Sequence, residues 1–183
     1  MHASPPAPAP LVDGADRDAL VAALRLLDDA THPSAPPLQR LQALAGAASA
    51  YRALQAWTQA EACLLQALRW SACVGADASV SLVCELAEVL VSQADVLEED
   101  DAPAARRIRE QARDHALQAA ELARRCADAH WEVHVLLRVS EALDRCGDHD
   151  DAIALQCRAL NLLVRDELPA LTGELPNSTQ RLM

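Results

Sequence analysis

The sequence predicts an all-α fold, a right-handed superhelical stack of antiparallel helix pairs with about seven helices. The first observation is compositional: the 183 residues are 51% hydrophobic but only 2% aromatic, with no Phe. Ala and Leu must therefore build the core, and Ala is the best helix former. A β-rich fold would draw on β-branched and aromatic residues, and five glycines are few for its turns. The second is periodicity. Val135, Leu136, Val139, Ala142 and Leu143, then Ala152, Ile153, Leu155, Ala159, Leu160 and Leu163, recur at i, i+3, i+4 and i+7 on either side of Gly147-Asp148. Each set is one buried stripe of an amphipathic helix. The third is repetition: upstream segments are looser copies of this pair, and one such pair cannot bury its stripe alone.

Taken in order, residues 1–12 are Pro- and Ala-rich and are expected to be a disordered tail. Residues 13–166 form one helical domain, and 167–183, with two prolines and a glycine, are expected to be irregular. Asp13 or Asp16 can cap a first helix over about 15–30, with Leu20, Val21, Ala23, Leu24 and Leu27 inward, and Thr31–Pro37 ends it. This helix would cover the first repeat as a cap. The second helix spans about 38–55, with Leu41, Leu44, Ala48, Tyr51 and Leu54 as its stripe. Thr58 and Glu61 form a capping box for the third, which places Ala60, Leu64, Ala67 and Leu68 inward and ends at Gly75.

Asp77 or Ser79 caps the fourth helix, about 79–97, with Val83, Leu86, Ala87 and Leu90 inward. Asp101 caps the fifth, about 103–126, with Pro103 in its first turn, where a missing N–H costs nothing. Its inward set is Ile108, Ala112, Leu117, Ala119, Ala120 and Leu122. The sixth and seventh, about 129–146 and 149–165, complete the pairs 38–74, 79–127 and 129–165, and Asp148 caps the last helix.

A net charge of −11 repels phosphate backbones, so nucleic acid is not expected as a partner, and neither is a membrane. No apolar run reaches the roughly 18 residues of a membrane span, and the N-terminus lacks the features of a secretory signal. The six cysteines form no C-x-x-C pair and read as reduced thiols of a cytoplasmic protein. Asn177-Ser178-Thr179 matches a glycosylation acceptor and reads as chance in that setting.

The closing pair resembles a tetratricopeptide repeat: a small residue, Ser140, a larger one, Leu143, the turn Gly147-Asp148, then Ala152 and Ala159 seven apart. The first copy carries Ala48, Tyr51, Ala60 and Ala67, with Gln55-Ala56-Trp57 in place of the Gly-Asp turn. The middle copy carries Ala87, Leu90, Ala112 and Ala119. Small residues sit where two helices cross closest, and larger ones fill the gap beside them. Ala48, Ala87 and Ser140 lie 39 and then 53 residues apart, against the usual period of about 34. The helices thus look more like the longer repeats of bacterial regulators and kinesin light chains.

In that family the first helix of each pair lines a concave groove that captures a partner segment. The resemblance implies a groove of Gln42, Ala45, Ser49 and Arg52, then Ser81, Cys84, Glu88 and Val91, then His134, Leu137, Glu141 and Arg145. The Lys and Asn with which some members hold C-terminal carboxylates are absent here. Glu88 and Glu141 would repel a carboxylate, so the expected partner is a protein or peptide segment, basic or amphipathic.

Other constellations have plainer readings. Cys126, His130 and His134 stand at zinc-compatible spacing, but Glu132 sits at the third place of the His130–His134 segment and completes no H-E-x-x-H motif. A surface histidine pair is the expectation, with no metal and no cofactor. Asp148, His149, Asp150 and Asp151 suit a helix-capping turn. Trp57, Trp70 and Trp131 fill gaps between helices or anchor a partner. No phosphate loop, nucleophile elbow or zincin motif is present. The sequence therefore describes a binding module rather than an enzyme, with a homodimer through solenoid end faces as the first alternative and a helical metal- or small-molecule-binding protein as the second.

Overall fold

In the computed structural model, which describes residues 14–32, 34–126 and 128–172, the protein is all-helical. Seven helices follow in order: α1 (Gly14–Thr31), α2 (Pro37–Ala53), α3 (Trp57–Ser71), α4 (Ala76–Leu97), α5 (Ala102–Ala123), α6 (Ala129–Cys146) and α7 (His149–Thr172). There is no strand among the described residues. Each helix packs on the next, and α4 also packs on α6. That is an all-α helical-repeat arrangement, with α2–α3, α4–α5 and α6–α7 as the pairs. The expected tail at 1–12 lies outside the described residues, as do the Asp13 cap and residues 173–183 of the tail expected at 167–183; its first part, 167–172, is helical.

The expected stripes form the core at α2, α3, α4 and α6, whereas of the expected α5 set only Ala112, Ala119 and Ala120 are buried and Ile108, Leu117 and Leu122 are half-buried. Leu41, Leu44, Ala48 and Tyr51, then Ala60, Leu64 and Ala67, are buried. In α4, Val80, Leu82, Val83, Cys84, Leu86, Ala87, Val89, Leu90, Val91 and Ala94 are all buried, more than one stripe can hold. This helix is enclosed on several sides, because α3, α5 and α6 all pack on it. α5 buries only alanines, among them Ala105, Ala112, Ala116, Ala119 and Ala123. Its close approach to α4 follows from those small side chains.

The outer helices depart from expectation. In α1, Ala23 is fully buried, but Leu20, Val21 and Leu24 are 41%, 40% and 53% exposed. α1 packs on α2, and among the described residues one side of its apolar face is left uncovered. Gly46 of α2 permits that contact, since a Cβ there would stand 3.0 Å from a Leu26 methyl. In α7, Ala152 and Ala159 are buried, yet Ile153 and Leu160 are 57% and 61% exposed. α7 also runs to Thr172, beyond the expected end near 165, and takes in Pro169.

The helix ends correct three expected caps. α3 starts at Trp57 behind Ala56 and has no side-chain cap, so Thr58 and Glu61 make no capping box. Gln55 at φ 55° has already reversed the chain. Gly75 does not end α3 but precedes α4 at φ 150°, where neither Asp77 nor Ser79 caps. Ser79 Oγ instead donates to Ser71 Oγ at 2.9 Å. Asp101 caps α5 as expected, accepting from Ala104 N at 3.0 Å, and Asp128 caps α6 through Trp131 N at 3.1 Å. Gly147, at φ 89°, closes α6, and Asp148 N donates back to Leu143 O at 3.0 Å.

Ala159 is 1% exposed. Ala159→Trp is expected to overpack the α6–α7 crossing and destabilise the chain by about 3 kcal/mol. Thermal melting followed by circular dichroism checks this, and an unchanged midpoint would mean that the α7 register is wrong.

Candidate functional groove

The first helices of the three pairs meet through one carboxylate. Glu88 on α4 accepts from Arg52 Nη2 of α2 at 3.1 Å and from Arg138 Nε of α6 at 2.7 Å. Its two oxygens take one guanidinium each, and all three side chains are half-buried. Hydrogen bonds between charged partners are about twice as strong as neutral ones, more so where water is partly excluded. Beside them lies a cavity of ≈320 Å³, lined by Arg52, Glu88, Ser92, Arg138, Glu141 and Arg145. Arg145 Nη2 reaches Asp95 at 2.6 Å, and Asp95 also accepts from Arg109 of α5 at 3.1 Å.

Of the expected groove residues, Gln42, Ser49, His134, Leu137, Glu141 and Arg145 are exposed, and Arg52 and Glu88 are half-buried. Cys84 is not a lining residue: it is 1% exposed, inside the core. Burial pushes its thiol up to about 12. Val91 is fully buried as well. The reason is register. The spacing Ser81, Cys84, Glu88, Val91 mixes two faces of α4, whereas Ser81, Glu85, Glu88 and Ser92 are the half-exposed positions. On α6 the same arithmetic, four and then three residues, joins His134 to Arg138 and Glu141, so the periodicity held the signal for Arg138.

Glu88 is therefore enclosed between two cations, and the groove is balanced rather than acidic. Glu141 is exposed and has no ion-pair partner among the described residues. Glu85 is half-buried without a hydrogen-bond partner among the described residues. Burial pushes its carboxyl above the ordinary glutamate value, against the pull of Arg52 and Arg138 and with the push of Glu88. For Asp95 burial acts upward too, but the hydrogen bonds from Arg145 and Arg109 outweigh it and hold the carboxyl below its ordinary value.

The remaining constellations resolve into structural contacts. Cys126 lies in the turn after α5, not on the His130–His134 helix, and its Sγ donates to Asp77 Oδ1 at 3.3 Å. His130 and His134 are exposed. Among the described residues no group of His, Cys, Asp and Glu is placed to hold a metal ion. All six cysteines are free thiols. The acidic turn before α7 is clamped from α5, where Arg113 pairs with Asp148 and, at 3.1 Å, with Asp151. The carbonyl of Asp148 accepts from Ala152 N at 3.0 Å, while its carboxylate goes to Arg113. Trp57, Trp70 and Trp131 are half-buried against the core, with Arg40 over the Trp70 ring at 4.8 Å. A half-buried pair that sequence spacing does not reveal joins α6 to α7: Arg158 reaches Glu132, which is 7% exposed.

Because the folded state raises the Glu85 pKa, ionised Glu85 opposes folding above that value, and the penalty vanishes once both states are protonated. Glu85→Gln is therefore expected to raise the melting temperature at pH 7 and to lose that advantage below the ordinary glutamate pKa. A melting series across pH 3.5–7.5 checks the sign (~1 kcal/mol at neutral pH for a partly solvated group).

No helix among the described residues is long and apolar enough to cross a membrane. No family model and no curated protein matches the chain. Among solved structures it is similar to "Crystal structure of BtubC (BKLC) from P. vanneervenii", at 14% identity and TM-score 0.35, covering 93% of this chain and 80% of that one. A likeness at that level says nothing about what this chain does.

Proposed function

We propose that the protein is a tetratricopeptide-like interaction module of the cytoplasm, an adaptor or regulatory scaffold rather than an enzyme. It would bind a partner segment across the exposed faces of α2, α4 and α6. The observation that carries this reading is the Arg52–Glu88–Arg138 tie, which draws the first helices of the pairs onto one surface. A rigid, preformed surface spares the partner much of the ordering cost of binding. Its chemistry favours an amphipathic segment. Leu137 is 48% exposed and offers an apolar seat, and Glu141 offers a carboxylate to a cation. Free thiols in all six cysteines fit a reducing compartment.

A second reading is self-association through the last helix. Ile153, Leu160 and Val164 are 57%, 61% and 57% exposed. With exposed Cys157 they follow one another four, three and four residues apart. That is the spacing of a helix–helix seam.

Glu88 is a poor site for a test substitution, because a lysine there would stand between two arginines and disturb the fold. Leu137→Lys/Glu141→Lys alters exposed positions only. Capture from native lysate with wild type and this variant, read by mass spectrometry, is expected to yield a stoichiometric protein lost in the variant. The same proteins with both baits would remove the groove from the account. Recovery of the bait alone would overturn the adaptor reading in favour of self-association.

A further inference from the structure

The chain contains no lysine, so all of its sixteen basic side chains are arginine. Most of those at helix contacts are answered by carboxylates: Arg52 and Arg138 by Glu88, Arg109 by Asp95 and Glu98, and Arg113 by Asp148 and Asp151. One place differs. Between the end of α5 and the middle of α7 lies a cavity of ≈420 Å³ lined by Arg124, Arg158, Asn161, Leu162 and Arg165, with no carboxylate among its described lining residues. In a chain of net charge −11, three guanidiniums around one hollow are a local concentration of positive charge, even with Arg158 and Arg124 each touching a glutamate.

The geometry points to a binding site for a phosphomonoester dianion. Arg158, Asn161, Leu162 and Arg165 stand at i, i+3, i+4 and i+7, one face of α7, and Arg124 faces them from the end of α5. Little of this charge is spent elsewhere. Arg165 has no ion-pair partner among the described residues, and Arg124 holds only Glu121, at 3.7 Å and in solvent. Arg158 gives Nη2 to Glu132, which fixes the side chain and leaves the rest of its fork free. The last carbonyls of α5 are taken up within the turn, where Arg124 N, Arg125 N and Cys126 N donate to Ala120, Leu122 and Ala123. The arginine side chains are therefore not consumed in capping that helix.

A phosphomonoester carries nearly two charges and three acceptor oxygens at neutral pH, which suits several converging forks better than a single carboxylate does. The cavity admits one such group, and the overall negative charge turns away extended polyanions. This site is on a different face from the groove and does not depend on the reading given above.

Isothermal titration with free phosphoserine, acetate and a phosphoserine peptide tests the proposal at about 0.15 M salt, where nonspecific attraction is screened. Phosphoserine is expected to bind well ahead of acetate. Arg124→Gln/Arg165→Gln is expected to weaken it at least ~10-fold, with melting unchanged and with Arg69→Gln on α3 as an inert control. A peptide binding ~10-fold tighter than free phosphoserine would place the phosphate on a partner chain, and equal affinities would point to a small molecule. Binding that matches acetate, or that survives the double substitution, would overturn the site.

Discussion

The enclosure of α4 is the constraint on which the rest of this structure depends. From Val80 to Ala94 no side chain is exposed, and ten of them are buried apolar residues. Each fully buried Val or Leu contributes about 1.5–3 kcal/mol relative to exposure. α4 alone therefore concentrates a large share of the driving force. It can do so because its neighbours come close: α5 presents alanines to the interior, and α3 adds Ala60 and Ala67. Small residues on the neighbours and larger ones on the centre are how a chain without Phe reaches close packing.

Polar side chains then set the angles of that stack. Glu88 joins α2, α4 and α6, and Asp95 joins α4, α5 and α6. Arg113 ties α5 to the start of α7, and Arg158 ties α7 to α6. Most of these pairs are partly solvated and individually modest in stability. Their geometric effect is to hold the exposed face of the first helices in one arrangement. The polar face of α4 thus serves both the fold and the groove.

Much of this was legible in the sequence. The seven helices follow from 3.6-residue periodicity, and Pro103, Asp101 and Gly147 mark ends that the structure keeps. What stayed hidden has physical reasons. Stripes in α1 and α7 were visible, but periodicity does not say whether a neighbour exists, and among the described residues none covers Leu24 or Leu160. The capping box at Thr58 lost to a left-handed Gln55, a turn that composition does not announce. In the groove, a one-residue slip on α4 exchanged Glu85 for Cys84. Ties such as Arg158–Glu132 join residues 26 apart and exist only once the helices have packed.

The central claim is that α4 makes the three pairs one cooperative body. Native-state amide hydrogen exchange tests it most directly. The account predicts that the amides of residues 80–94 exchange slowest, with the free energy of global unfolding, while α1 and the C-terminal half of α7 open earlier. Exchange in α4 no slower than in α1 would contradict it, and would mean that the pairs unfold one by one with no shared core.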